Sequence, residues 1–114
     1  MNNRIYKILS PDQWAAARHA GTFEGAPVDL ADGFIHFSTA GQVRETAEKH
    51  FRGAGDLVLV EFDTSDFGHT LKWEPSRGGD LFPHLYAALD PSLAKRVFHL
   101  AEMPDGTHQF PEEL

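Results

Sequence analysis

The stretch that decides the fold is LVLVEF, residues Leu57–Phe62. Six consecutive residues dominated by β-branched and large apolar side chains give the strongest strand signal in the chain. The segments before this stretch predict strand, helix, strand and helix, whereas those after it predict only strands. Such a final run of strands favours an α+β domain with a small, mostly antiparallel sheet over a doubly wound parallel sheet.

The first half of the chain begins with a predicted strand, Arg4–Leu9, followed by a clearly delimited helix. Ser10 is placed to cap the helix, Pro11 suits its first position, and Gln13 completes a capping box. Gly21 is then placed to end the helix. We therefore predict an opening strand joined directly to a helix.

A glycine- and proline-containing stretch, residues 22–33, is predicted to be a loop that leads to a short apolar strand, Phe34–Phe37. Thr39 and Gln42 form a second capping box, which predicts a helix that continues to about Arg52. After LVLVEF, three more strands are predicted. They are Leu71–Glu74, Phe82–Leu89 and Arg96–Ala101.

The length and composition of the chain limit the class of protein to which it can belong. A chain of 114 residues with 41% apolar residues is expected to form a single domain, residues 1–114, with a core at about 4–101 and a short tail at 102–114. The absence of cysteine excludes a disulfide framework and a thiolate metal site, and it suits the cytoplasm. No apolar run is long enough to predict a membrane span, and the N-terminus does not resemble a signal peptide.

The net charge of −7 is unevenly distributed, with −1 through Leu57 and −6 after it. A surface of this sign repels phosphate backbones, so general nucleic-acid binding is disfavoured. A small-molecule partner is expected instead, since one local basic pocket can still hold one small anion. Oligomeric state cannot be read from these patterns.

The segment DGFIHFST contains the first candidate site. His36 and Ser38 are two residues apart on a predicted strand, so both side chains point to the same face. Together they could hydrogen-bond a ribose diol. The alternative is a buried histidine bonded to a carbonyl and a serine that helps to cap the next helix.

The segment WEPSRGGDLFPHLY contains further candidate site residues. Arg77 with Gly78 and Gly79 could grip a phosphate, because a guanidinium forms a planar fork and successive N–H groups of a glycine turn can point at an anion. The alternative is a solvated turn. His84 and Tyr86 alternate onto one face, where an imidazole beside a phenol could bind or exchange protons with a substrate, and the alternative is ordinary packing.

The sequence contains none of the common motifs for metal binding, serine hydrolases or nucleotide-binding turns. The seven histidines include no HxH, HExxH or zinc-finger spacing, so no metal is expected. The chain also has no G-x-S-x-G elbow and no glycine-rich turn of the dinucleotide or P-loop type.

The pairing of DGFIHFST with WEPSRGGDLFPHLY, preceded by IYKIL and a helix containing WAAA, resembles the small bacterial family called domain of unknown function 952. That family is similar in fold to the ADP-ribosyltransferases. The resemblance implies a curved, split, mostly antiparallel sheet with two or more helices that holds NAD in a cleft.

The resemblance also implies roles for residues. IYKI is similar to the first motif of the ADP-ribosyltransferases, where Lys7 would contact the adenosine ribose. DGFIHFS is similar to the second, with His36 and Ser38, as in HVHLS of the RNA 2′-phosphotransferases. The third motif usually supplies a glutamate, whose place is held by His84. His36 and His84 would therefore be the catalytic pair.

Two functions stay open at this point. One is an enzyme that transfers or hydrolyses NAD or an ADP-ribose derivative. The other is a non-catalytic module that binds a nucleotide or another phosphorylated molecule. In both, Lys7, Ser38, Arg77, Gly78, Gly79 and Tyr86 would hold the ligand.

Overall fold

The computed structural model describes residues 3–114, apart from the side chain of Arg77. Within this part of the chain, three α-helices accompany two three-stranded antiparallel sheets, so the predicted α+β class is confirmed. The elements are β1 (Arg4–Leu9), α1 (Pro11–Ala20), α2 (Pro27–Asp32), β2 (Ile35–His36), α3 (Val43–His50), β3 (Leu57–Asp63), β4 (Leu71–Pro75), β5 (Leu81–Leu85) and β6 (Arg96–Leu100).

The first sheet has the strand order β1-β3-β6, and the second has the order β2-β5-β4. An isolated bridge joins the edge of one sheet to the edge of the other. In this bridge the N–H of Tyr6 donates to the carbonyl of Ser38 at 2.8 Å, and the N–H of Ser38 donates to the carbonyl of Tyr6 at 2.9 Å. The split between the sheets therefore lies between β1 and β2.

Strand β3 is buried on both faces because it lies at the centre of the first sheet and separates two apolar clusters. Val58, Val60 and Phe62 point into the larger cluster, and Leu57 and Leu59 point into the smaller one. This burial explains why LVLVEF is apolar at every position except Glu61 rather than alternating between apolar and polar residues.

Helix α1 begins and ends where the sequence predicts. The hydroxyl of Ser10 accepts a hydrogen bond from the N–H of Gln13 at 3.0 Å, and the side-chain oxygen of Gln13 accepts one from the N–H of Ser10 at 2.9 Å. Gly21 ends the helix with a φ of 79°. Helix α3 is shorter than predicted at both ends: it begins at Val43, with Gln42 rather than Thr39 at the N-cap position, and it ends at His50 rather than Arg52.

The prediction that residues 22–33 form only a loop is wrong, because six of them form α2. Pro27 occupies the first turn, and Gly33 ends the helix with a φ of 86°. The carboxylate of Asp29 accepts the N–H of Ala26 at 2.8 Å and so satisfies a free donor at the helix start. The sequence signal was missed because Ala26, rather than Ser or Thr, precedes the helix.

Boundaries of β2, β3, β4, β5 and β6 also differ from prediction, by one residue at each changed end except the end of β5. Strand β5 ends at Leu85 rather than Leu89, and the chain then forms a bridge between Phe23 and Leu89. Beyond β6 the chain folds back, so that Phe110 and Leu114 pack against the smaller apolar cluster. None of the helices between residues 3 and 114 is long and apolar enough to cross a membrane.

Candidate functional site

Strand register brings the two candidate histidines together. His36 on β2 lies directly opposite His84 on β5, and Lys72 on β4 lies opposite His84 on its other side. The ring centroids of the histidines are 5.5 Å apart. Phe34 stacks on the ring of His84 with a centroid separation of 4.1 Å.

A buried ion pair lies beside His36. The ammonium of Lys7 contacts both carboxylate oxygens of Asp29 at 3.0 and 3.2 Å and the carbonyl of His36 at 2.9 Å. Three acceptors thus match the three hydrogens of a lysine ammonium. Asp29 also contacts the ring of His36, whose Nδ1 lies 2.7 Å from Oδ1 of Asp29. The other ring nitrogen, His36 Nε2, lies 2.9 Å from a carboxylate oxygen of Asp32.

Burial and pairing act in opposite directions on this ion pair. Burial lowers the pKa of Lys7, and the charge of Asp29 partly restores it. Burial also raises the pKa of Asp29, but hydrogen bonds from His36 and the charge of Lys7 outweigh it and hold that pKa at about 2. Asp29 is therefore an ionised carboxylate at neutral pH.

His84 is held by a carboxylate on the neighbouring strand. Its Nδ1 lies 2.8 Å from Oε1 of Glu74, and the same oxygen accepts the hydroxyl of Tyr86 at 2.6 Å. The ring of His84 is buried, and its Nε2 has no hydrogen-bond partner among the described residues. The hydrogen bonds from Tyr86 and His84 lower the pKa of Glu74, and the bond to Glu74 raises the pKa of Tyr86.

We call this group the His36–His84 cluster. It consists of Lys7, Asp29, Asp32, Phe34, His36, Glu74, His84 and Tyr86. Four residues predicted from the sequence lie in it, namely Lys7, His36, His84 and Tyr86.

Ser38 lies elsewhere. Its hydroxyl hydrogen-bonds the hydroxyl of Thr46 on α3 at 2.9 Å, and its backbone forms the bridge to Tyr6. The side chain therefore faces α3 rather than the cluster. Its predicted role as a ligand contact stays a prediction.

Gly78 and Gly79 form an exposed turn between β4 and β5, with φ angles of 71° and 83°. The N–H of Gly79 donates to the carbonyl of Ser76 at 2.9 Å, so this donor already serves the turn. The predicted phosphate grip of the Arg77 guanidinium lies outside the described atoms.

Three members of the cluster were missed by sequence reasoning. Asp29 and Asp32 lie in the stretch predicted to be a loop, and Phe34 was assigned only to a strand. The one available signal was a stretch of six residues that begins with Pro27 and is followed by Gly33, a pattern that is typical of a short helix. Glu74, at the end of the predicted strand Leu71–Glu74, could be read from the sequence either as the carboxylate of the site or as a rim charge, and it lies in the cluster.

An open depression of about 260 Å³ lies next to the cluster and shares Asp29 and Phe34 with it. Its other lining residues are Glu24, Leu30, Gly33, Ile35, Leu85 and Ala87. A second depression of about 240 Å³ lies between β6 and the C-terminal segment and contains none of the predicted site residues. Among the described residues, no group of three or more His, Asp or Glu side chains is arranged to hold a metal ion.

The cluster can accept a hydrogen bond at His84 Nε2 and offers two aromatic surfaces, Phe34 and the exposed Tyr86. A buried acceptor without a partner is costly, and a ligand hydroxyl or amine would satisfy it. The arrangement therefore suits a small polar ligand.

Comparisons with known proteins agree over most of the chain. The sequence profile of a family described as "Protein of unknown function (DUF952)" matches residues 8–97. The crystal structure of protein CC0527 from Caulobacter crescentus is 52% identical, covers 93% of this chain and 93% of that chain, and has a TM-score of 0.89. The solution NMR structure of CC0527 is 50% identical, covers 99% and 97% of the two chains, and has a TM-score of 0.87. No curated protein matches the chain. The chain therefore belongs to the family of proteins of unknown function called DUF952.

Proposed function

We propose that this domain binds a small hydroxyl-bearing molecule at the His36–His84 cluster, and that the ligand is a ribose-containing nucleotide such as NAD or an ADP-ribose derivative. The observation that carries the proposal is the buried Nε2 of His84, which has no partner although Glu74 fixes the other ring nitrogen. Native proteins satisfy most buried polar atoms, so a buried ring nitrogen without a partner favours a missing ligand group. The neighbouring depression shares Asp29 and Phe34 with the cluster and offers a concave surface for such a ligand.

The choice of a ribose over a bare anion rests on charge. Three carboxylates, Asp29, Asp32 and Glu74, lie within the cluster, and the ammonium of Lys7 is already fully bonded. Carboxylates and a neutral imidazole nitrogen accept hydrogen bonds, which suits the hydroxyls of a sugar better than a phosphate. A phosphate would have to lie nearer to the exposed Lys72 or to the predicted grip at Arg77.

The sequence resemblance to ADP-ribosyltransferases supports the same ligand class. The split between β1 and β2, with residues from both halves in the cluster, is compatible with a ligand held between the two sheets. The acidic chain, with its net charge of −7, disfavours general nucleic-acid binding. We place the protein in the cytoplasm, in keeping with its lack of cysteine.

The test is a thermal-shift and calorimetric titration with NAD, ADP-ribose, AMP and ribose 5-phosphate, with inorganic phosphate as the control ligand. A compound present at 100 times its dissociation constant should stabilise the fold by about 2.7 kcal/mol. His84→Asn should abolish this shift, whereas His69→Asn, at an exposed position outside the cluster, should leave it unchanged.

Tyr86→Phe gives a milder test, because it removes only one hydrogen bond to Glu74 at an exposed position. It should weaken binding several-fold without loss of folding. If no ribose compound stabilises the wild-type protein, or if inorganic phosphate does so equally well, the proposed ligand class is wrong.

A further inference from the structure

Strand β4 lies at the end of the second sheet, so one edge of its backbone has no neighbouring strand among the described residues. Two hydrogen bonds at the ends of the β4–β5 ladder show which backbone groups face the other way. The N–H of Tyr86 donates to the carbonyl of Thr70 at 2.8 Å, and the N–H of Ser76 donates to the carbonyl of Asp80 at 2.9 Å. Because backbone groups alternate along an antiparallel ladder, the even-numbered residues of β4 face β5 and the odd-numbered residues face the open edge.

The open edge of β4 can both donate and accept hydrogen bonds. Leu71 and Trp73 each present an N–H and a carbonyl there, and Pro75 presents a carbonyl only. The position of Pro83 agrees with this alternation, since it lies opposite Trp73, where the ladder needs no N–H from β5. An open edge of this kind is a template for another strand.

The side chains of β4 divide between the two faces of the sheet. Trp73 and Pro75 lie on one face, with Leu81 opposite Pro75 on β5. Trp73 is 46% exposed and Leu81 is 52% exposed. Lys72 and Glu74 lie on the other face. The edge therefore combines an exposed apolar strip with one positive and one negative charge, placed on either side of Trp73.

We propose that β4 pairs with β4 of a second copy of this chain, antiparallel about a twofold axis that runs between the two Trp73 residues. In this register Lys72 of each copy lies directly opposite Glu74 of the other, so each positive charge meets a negative one. The two Trp73 side chains lie side by side on the apolar face. The second sheets of the two copies then form one continuous sheet with a self-complementary interface.

The backbone groups fit the same register. Each Trp73 N–H donates to the carbonyl of the other Trp73, and each Leu71 N–H donates to the carbonyl of Pro75 in the second copy. Pro75 therefore has only to accept, which it can do without an N–H. The carbonyl of Leu71 has no amide donor opposite it, but it lies at the end of the strand, where water can bind it.

The charges select this register and this partner. An axis at Lys72 would place two lysines opposite each other, and an axis at Glu74 would place two glutamates opposite each other, and like charges across strands are destabilising. Lys72 is exposed and has no ion-pair or hydrogen-bond partner among the described residues. Glu74 uses only Oε1 for its contacts with His84 and Tyr86, so Oε2 is left for Lys72 of the second copy.

The dimer is tested by sedimentation equilibrium of the ligand-free protein from about 10 µM to about 1 mM, because a contact between two strands of five residues is small and therefore weak. We expect reversible dimerisation. Lys72→Glu should weaken it about tenfold or more, since like charges then face each other on both sides of the axis. Trp73→Ser should weaken it as well, and circular dichroism checks that both variants fold.

Lys49→Glu is the matched control, because it makes the same change in net charge at an exposed position of α3. It should leave the dissociation constant within about twofold of the wild-type value, a difference well below the effect expected for Lys72→Glu. A protein that is still monomeric at the highest concentration, or equal effects of the two lysine substitutions, would overturn the proposal.

Amide hydrogen exchange, measured by NMR at low and high protein concentration, locates the interface. The N–H groups of Lys72 and Glu74 face β5 and should be protected at both concentrations. Those of Leu71 and Trp73 should become protected only at high concentration, where the dimer forms. A dimer in which these two N–H groups still exchange freely uses another surface, and the proposal is then wrong. These measurements need no ligand, so their outcome is separate from that of the proposed ribose binding.

Discussion

Asp29 is the residue on which the site depends. Its two oxygens accept hydrogen bonds from the ammonium of Lys7, from the ring and the N–H of His36, and from the N–H of Ala26. One buried carboxylate therefore joins β1, α2 and β2. The hydrogen bonds of this buried carboxylate are complete only while all of its donors are present.

Asp29→Asn should destabilise the protein by about 3–5 kcal/mol, because it leaves the buried ammonium of Lys7 without a counter-charge. Chemical denaturation measures the effect. Asp32→Asn is the matched control, since Asp32 is exposed and its pairing with His36 is expected to contribute about 1 kcal/mol or less. Equal losses in the two variants would show that burial of Asp29 does not matter.

The stability of the protein in acid should also depend on Asp29. Its pKa is held at about 2, below the ordinary value of 3.8, so its ionised form stabilises the fold above pH 3.8. This contribution is lost as the pH falls through about 2. The free energy of unfolding should therefore fall more steeply over this window in the wild type than in Asp29→Asn. Parallel curves for the two proteins would contradict the assigned pKa.

Among individual residues, the sequence predicted four of the eight members of the His36–His84 cluster. Strand alternation placed His84 and Tyr86 on one face, and both indeed bond the same carboxylate. The carboxylate itself, Glu74, belongs to another strand, and pairing between strands is not encoded in local spacing. Asp29 was not predicted as a site residue, because none of the residues next to it in the sequence indicates that this position is buried.

Helix α2 is the element that sequence reasoning misread, and its geometry explains why it forms. It has only six residues, too few to show an apolar period, so its limits depend on Pro27 at the start and Gly33 at the end. By contrast, α1 carries a complete capping box and was predicted with its correct bounds. The bounds of α1 could therefore be read from the sequence, whereas those of α2, which relies on tertiary contacts, could not.

Gly33→Ala should cost about 1–2 kcal/mol, because residue 33 has a φ of 86° and alanine is strained there. No atom lies within 4 Å of the added Cβ, so the cost comes from the backbone alone. Gly21→Ala at the end of α1 is the matched control, with a φ of 79° and equally open space.

Both variants should lose similar stability, measured by denaturation. Only Gly33→Ala should also move the NMR signals of the His36 ring, since α2 holds both of its carboxylate partners. A response of His36 to both substitutions would indicate a general loosening of the fold rather than a local role of α2.

At the scale of the whole molecule, the two sheets form one body. The larger apolar cluster takes Phe62 from the first sheet and Phe37 from the chain after β2, and their rings meet edge to face with centroids 5.8 Å apart. The Tyr6–Ser38 bridge and the bonds of Lys7 cross the same boundary. The sequence predicted the α+β class from the order of its elements. The split into two sheets was expected only from the family resemblance, because local sequence patterns do not show which strand edges meet.

This continuity predicts that the two sheets unfold together. The chain has two tryptophans, and they report on different regions: Trp14 is buried on α1 against the larger cluster, and Trp73 is exposed on β4 at the edge of the second sheet. Trp73→Phe leaves Trp14 as the only fluorophore of this kind, and Trp14→Phe leaves Trp73. In each variant the fluorescence midpoint in denaturant should coincide with that from circular dichroism, because one core crosses both sheets. Comparison within each variant cancels the stability lost by the substitution. If Trp73 responds at lower denaturant than circular dichroism, the second sheet opens alone. The buried Nε2 of His84 would then become accessible by local unfolding of the second sheet.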